Sequence, residues 1–255
     1  MNMLEKKIRQ ATSADRPALI PFLTAGFPDP NTFWPAIMEL DEHGADILEI
    51  GVPFSDPVAD GPVVEEASRR ALSLGVHLHG ILQELRQRRE LISAGVVLMG
   101  YVNPFLQYGY ANLARDAAEA GVNGFIVPDL PFEEAGPLRT VLDQAGIALI
   151  PLVGPNTPAE RMALYAQVSQ GYVYVTSVMG ITGVRAELAP DVAETLRRAR
   201  AAFNLPLALG FGLHDPAQLE DLPPDARPDA AVFGSALLRH LDEGKTAAEF
   251  LARWK

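Results

Sequence analysis

The chain has 255 residues, 48% of them hydrophobic, and a formal net charge of −11. That length and apolar content suffice for one large core, so one domain over residues 1–255 is expected; α/β barrels of this size commonly form one. The acidic balance disfavours nonspecific binding to nucleic acid or an anionic membrane, and with no cysteine disulfides and thiolate metal sites are excluded.

The first ten residues, Met1–Gln10, mix charges early, unlike a signal peptide, and read as an extra helix closing one end of a barrel. Short apolar runs follow at Ala18–Leu23, Ala45–Gly51, Gly95–Tyr101, Gly124–Val127, Ala148–Val153, Tyr172–Thr176, Leu207–Gly210 and Ala230–Phe233. Most are apolar at both parities, as strands covered on both faces should be. Between them lie amphipathic stretches at Asn31–His43, Val63–Leu74, His79–Leu91, Ala111–Ala120, Glu133–Ala145, Pro158–Val168 and Ala189–Ala202, several opened by Asp, Asn, Thr or Pro as helix N-termini are. Eight such strands alternating with helices predict a (β/α)8 TIM barrel with an added N-terminal helix. No stretch approaches the ~20 apolar residues that span a bilayer, so a soluble, cytoplasmic protein without membrane contact is expected. The histidines, at positions 43, 77, 79, 214 and 240, show no ligand spacing, and no metal site is expected.

The most informative segment runs from Leu48 to Pro62, Leu-Glu-Ile-Gly-Val-Pro-Phe-Ser-Asp-Pro-Val-Ala-Asp-Gly-Pro. Glu49 sits inside an apolar strand, where an ionised carboxylate is costly unless it is paired or used. Asp60 lies beyond it on a polar turn. Burial should raise the pKa of the first and leave the second ionised, the arrangement by which two carboxylates take different roles. Plainer readings stand beside these: Glu49 could pair with a buried Arg or backbone donors, Asp60 could cap the helix that follows, and Tyr174 could simply fill a barrel layer. Phe22, Tyr101 and Ile150 read as core or pocket wall.

Three glycine-bearing turns follow the last three strands: Gly180-Ile181-Thr182-Gly183, Gly210-Phe211-Gly212 and Gly234-Ser235. On this rim of a barrel, backbone N–H groups and a helix N-terminus make a phosphate site, although each turn alone could be a tight strand-to-helix connection. The candidate phosphate-binding residues are Gly183, Phe211, Gly212, Gly234 and Ser235. The stretch Ser177–Pro190, with Arg185, is long for a barrel loop and reads as a lid or as a surface excursion. No Walker-type motif appears, which disfavours nucleotide binding.

The sequence Pro21-Phe22-Leu23-Thr24-Ala25-Gly26-Phe27-Pro28-Asp29, the Leu48–Pro62 string, Met99-Gly100-Tyr101-Val102-Asn103-Pro104, Val127-Pro128-Asp129-Leu130-Pro131, Gly171-Tyr172-Val173-Tyr174, Gly180-Ile181-Thr182-Gly183, Gly210-Phe211-Gly212 and Phe233-Gly234-Ser235 resemble, in order and over nearly the whole chain, the tryptophan synthase alpha chain family. The resemblance implies a lyase that cleaves indole-3-glycerol phosphate to indole and glyceraldehyde 3-phosphate, with no cofactor of its own. It implies Glu49 as general acid/base at indole C3 and the glycerol hydroxyl, Asp60 as acceptor for the indole N–H, and Tyr174 near the substrate. It implies a beta chain partner that carries pyridoxal phosphate, receives indole, assembles as an alpha2beta2 heterotetramer and faces Pro53, Asp56 and the loop containing Arg185. Glu65 stands where Gln is common in the family, and a carboxylate there could shift the ionisation of Asp60. Other readings are a phosphate-binding barrel acting on a different sugar phosphate, a stand-alone lyase, and a non-catalytic subunit that only activates a partner.

Overall fold

The computed structural model describes residues 1–176, 188, 190–210 and 212–254. Nine strand segments among them form one sheet, every described pairing parallel: β1 (Ala18–Thr24), β2 (Ile47–Gly51), β3 (Gly95–Met99), β4 (Gly124–Ile126), β5 (Ala148–Leu149), β6 (Leu152–Val153), β7 (Val173–Thr176), β8 (Leu207–Gly210) and β9 (Ala230–Phe233). The order β5-β4-β3-β2-β1-β9-β8-β7-β6 places β5 and β6 at its two ends. They are one extended run. Ile150 N–H donates to Phe125 O at 2.9 Å and Tyr174 N–H donates to Pro151 O at 3.0 Å, so the run bonds to neighbours on both sides and the sheet closes on itself. The expected fifth strand is thus present but divided, because Pro151 has no N–H to give the ladder. Eight strands and their covering helices make a TIM barrel.

The helices before, between and after the strands are α1 (Met3–Ser13), α2 (Pro30–Glu42), α3 (Pro62–Ser73), α4 (Leu78–Arg88), α5 (Val102–Tyr108), α6 (Tyr110–Glu119), α7 (Gly136–Gln144), α8 (Ala159–Ala166), α9 (Val192–Ala202), α10 (Ala217–Glu220), α11 (Ser235–Asp242) and α12 (Ala247–Leu251). Local chemistry sets their ends. Asp29 accepts from the N–H groups of Asn31 and Thr32 and Pro30 opens α2, while Thr246 and Glu249 form a reciprocal capping box at α12. The helix expected from Glu133 begins only at Gly136, because residues 131–135 form tight turns closed by Glu134 N–H to Pro131 O and Ala135 N–H to Phe132 O. The short helices α5 and α12 have too few residues for a clear amphipathic period and were not anticipated.

Two apolar layers follow from the strand periodicity. One fills the space between sheet and helices; the other fills the barrel, with Ile20, Phe22, Ile47, Val97, Ile150, Tyr172, Tyr174 and Val232 pointing inward. The expected N-terminal helix closes the end where the strands begin. Its Leu4 is fully buried, and a Cβ placed on Gly95 or Gly124 would come within 2.7 Å and 2.8 Å of the Leu4 methyls. Those glycines make room for the plug. At the same end Arg16 holds Asp46 with two hydrogen bonds, 2.7 and 2.9 Å, and Asp46 accepts the Leu19 N–H, tying β1 to the start of β2. The other end, where the strands finish, is left for function.

Candidate active site

Glu49 is the central residue of β2, its backbone in register with Phe22 of β1 and Val97 of β3. Being of the inward parity, it is 1% exposed, and neither carboxylate oxygen has a hydrogen-bond partner among the described residues. No Arg or backbone donor among the described residues compensates it. Burial, and next the charge of Asp60, push its pKa up to about 8, so the carboxyl is neutral at pH 7.

Asp60 reaches the barrel mouth from the loop between β2 and α3. That loop folds on itself through Val58 N–H to Asp56 O and Asp60 N–H to Pro57 O, both 2.9 Å. Asp60 is not the cap of α3: Gly61 occupies that position, with no side-chain capping bond. The hydroxyl of Tyr101 donates to the Asp60 carboxylate and accepts the Ala59 N–H at 3.0 Å, while its ring stacks on Phe54 at 5.3 Å. Tyr101 therefore sets the position of Asp60. Burial raises the Asp60 pKa to about 6, the Tyr101 hydrogen bond opposes this, and the nearby charge of Glu65 adds to the rise. Asp60 is thus ionised at neutral pH as expected, but less firmly than a polar turn suggests, because the turn folds over the barrel mouth. Glu65→Gln is expected to lower the Asp60 pKa from about 6 toward the ordinary aspartate range; titration of the labelled Asp60 carboxyl by NMR measures it, and an unchanged midpoint would remove Glu65 from the account.

Phe22, Tyr174 and Ile150 lie in the same interior cluster. Burial, and next the charge of Glu49, hold the Tyr174 hydroxyl well above its ordinary pKa, so it stays protonated. Two backbone positions fit closely round these rings. A Cβ on Gly210 would stand 2.6 Å from the Tyr174 ring, and one on Gly234 would stand 2.7 Å from that of Phe22. Gly234 precedes α11 without a side-chain cap, and Gly234 and Ser235 are half-buried at its N-terminus. Gly212 has φ 114, a conformation that requires glycine.

Gly183, Phe211 and Arg185 lie outside the described residues. Pro53, expected to face a partner, is buried in this chain, while Ser55, Asp56 and Val58 form the outer face of the loop, Val58 being 76% exposed. Two groups had no site role in the sequence expectations. Thr24 and Tyr172 are buried, and neither hydroxyl has a hydrogen-bond partner among the described residues; Thr24 lines the small cavity that also holds Phe22, Asp60 and Tyr101, and the Tyr172 hydroxyl lies near Glu49. Tyr172 was findable: it is two residues from Tyr174 and so shares its inward face. Among the described residues no cluster of three or more His, Asp or Glu could hold a metal ion, and no helix is long and apolar enough to cross a membrane.

Comparisons with known proteins show the family to which this barrel belongs. The family described as tryptophan synthase alpha chain matches residues 8–254. The chain belongs to this family. It is 75% identical to the tryptophan synthase alpha chain of Desulfovibrio desulfuricans over 255 residues, 100% of both chains, and 59% identical to that of Nitratidesulfovibrio vulgaris strain DP4, covering 98% of this chain and 97% of the relative. Among solved structures it resembles Mycobacterium tuberculosis tryptophan synthase with a TM-score of 0.89 at 34% identity, covering 98% of this chain and 95% of that one. The alpha subunit from Legionella pneumophila gives a TM-score of 0.85 at 35% identity, covering 98% and 94%. The chain is accordingly a lyase acting on indole-3-glycerol phosphate in tryptophan biosynthesis.

Proposed function

We propose that Glu49, Asp60 and Tyr174 carry the carbon–carbon cleavage of indole-3-glycerol phosphate, and that the whole chain acts as one barrel domain. The observation that carries this reading is the buried, unpartnered, protonated Glu49 carboxyl next to an ionised Asp60. Glu49 gives its proton to C3 of the indole, which leaves positive charge on the ring nitrogen. Asp60 accepts the N–H hydrogen bond and stabilises that charge. The Glu49 carboxylate then takes the proton of the glycerol hydroxyl next to the breaking bond. That oxygen becomes the aldehyde carbonyl, the bonding pair returns to the ring as the double bond, and indole and glyceraldehyde 3-phosphate leave. Glu49 ends protonated, ready for the next cycle. Tyr174, held protonated, lines the pocket beside Glu49, and Phe22, Tyr101 and Ile150 form its walls.

The substrate phosphate is assigned to the rim at Gly212, Gly234 and Ser235, where backbone N–H groups and the first turn of α11 offer donors and partial positive charge; Gly183 and Phe211, outside the described residues, join the assignment on the sequence alone. Gly234→Val is expected to weaken glycerol 3-phosphate binding by at least about tenfold, roughly 1.4 kcal/mol, because the added Cβ would press on Phe22 beneath the phosphate site. Calorimetric titration checks it; unchanged affinity would move the phosphate elsewhere.

A tryptophan synthase beta chain is the proposed partner, in an alpha2beta2 assembly that holds pyridoxal phosphate in the beta chain and takes up the indole. The exposed loop residues Asp56 and Val58 on the catalytic rim support docking there. The cytoplasm is the proposed location. Purified chain assayed with indole-3-glycerol phosphate, with and without a beta chain, tests the function: indole release that rises with the partner is expected, and no turnover in either case would refute it.

A further inference from the structure

Outside the barrel, the helical cover parts over the fifth strand. Outward-facing strand residues are buried almost everywhere, yet Leu149 and Pro151 are half-exposed, at the break between β5 and β6. They floor a cleft of about 300 Å³ between α7 and α8, walled by Val127, Leu130, Phe132 and Tyr165. The rings of Phe132 and Tyr165 lie 4.9 Å apart at 35°. Each carries a guanidinium over its face: Arg139 at 4.8 Å from the Phe132 centroid and Arg161 at 5.8 Å from that of Tyr165.

The two cations are not equivalent. Arg161 is engaged by the Tyr165 hydroxyl and Glu133, both at 2.8 Å. The Arg139 guanidinium has no hydrogen bond or ion pair among the described residues; Asp143 feels its charge without an ion pair between them. The carboxylate in the lining among the described residues is that of Asp129, and it accepts the Val102 N–H at 2.9 Å. The cleft thus combines an apolar floor, aromatic faces and a guanidinium with unused planar donors, on a protein whose net charge is −11. Apolar concavities with a few placed polar groups are how small-molecule sites are built, and guanidinium is the group that grips carboxylate through paired hydrogen bonds.

We infer that the cleft between α7 and α8, whose lining meets the interior cluster at Ile150 and Leu152, is a second ligand site on the outer side of the fifth strand, for a small aromatic carboxylate whose ring lies on the Leu149–Pro151 floor and whose carboxylate meets Arg139. It stands independently of the roles given to Glu49 and Asp60.

The test uses the full chain with benzoate and its neutral isostere benzamide, by calorimetry and saturation-transfer NMR. Saturable benzoate binding is expected, with benzamide about tenfold weaker or more because the charge-assisted pair is lost. Arg139→Gln should weaken benzoate by about the same factor. Val168→Trp, which places a large ring in the cleft from an exposed wall position, should abolish binding while leaving thermal unfolding and lyase turnover unchanged. Equal binding of benzoate and benzamide, no saturable binding, or benzoate binding unaffected by both substitutions would each overturn the inference.

Discussion

Glu49→Gln is expected to leave the chain folded and to cut turnover of indole-3-glycerol phosphate by ~10²–10⁴-fold, the usual contribution of a general acid/base group. Gln keeps the volume and the inward direction of the side chain but has no proton to give C3 and no carboxylate to receive one from the hydroxyl. The same substitution should stabilise the protein above mildly acid pH. The folded-state pKa of Glu49 is about 8 against an ordinary 4.5, so between those values the folded chain holds a proton that the unfolded chain has released. Stability therefore falls as pH rises through that window, and the substitution removes this slope. Thermal unfolding of both proteins from pH 5 to pH 8 reads it: the advantage of the Gln variant should grow with pH. Near-native turnover in a folded Glu49→Gln protein would end the assignment.

Asp60→Asn should lower turnover by ~10²–10³-fold, the scale seen when a group aimed at developing charge is removed. Asn can still accept from the Tyr101 hydroxyl, so the loop keeps its anchor. What disappears is the negative charge that faces the protonated indole. The phosphate rim is made by other elements, so affinity for glycerol 3-phosphate should hold. Loss of that affinity in step with turnover would show that Asp60 organises the site rather than stabilising charge. The two substitutions should not be additive, because Asp60 raises the Glu49 pKa and its removal eases Glu49 toward ionisation.

The barrel was legible because its strands are apolar at both parities, which leaves little doubt about burial on two faces; β1 is buried at all seven positions. Glu49 was legible for the same reason: a carboxylate amid Ile47, Leu48 and Ile50 has nowhere else to go. Asp60 was located correctly and its ionisation only in part, since a turn's own composition does not show that the loop folds back over the barrel mouth and under Tyr101. The division of the fifth strand followed from Pro151, whose missing N–H is visible in sequence, yet the resulting gap between α7 and α8 depends on how two helices settle on the sheet. The burial of Pro53 is likewise a tertiary outcome, since nothing local distinguishes it from the exposed residues that follow.

The central claim is that one site holds Glu49 neutral and Asp60 ionised at the same pH. Carboxyl ¹³C NMR of chain labelled at Glu and Asp side chains, with Glu49→Gln and Asp60→Asn proteins to assign the two resonances, tests it most directly. The account predicts a Glu49 carboxyl still protonated at pH 7 that titrates near pH 8, and an Asp60 carboxyl that titrates near pH 6. A Glu49 resonance that titrates in the ordinary range near 4.5 would contradict it, because the proton destined for C3 would then be absent when the substrate binds.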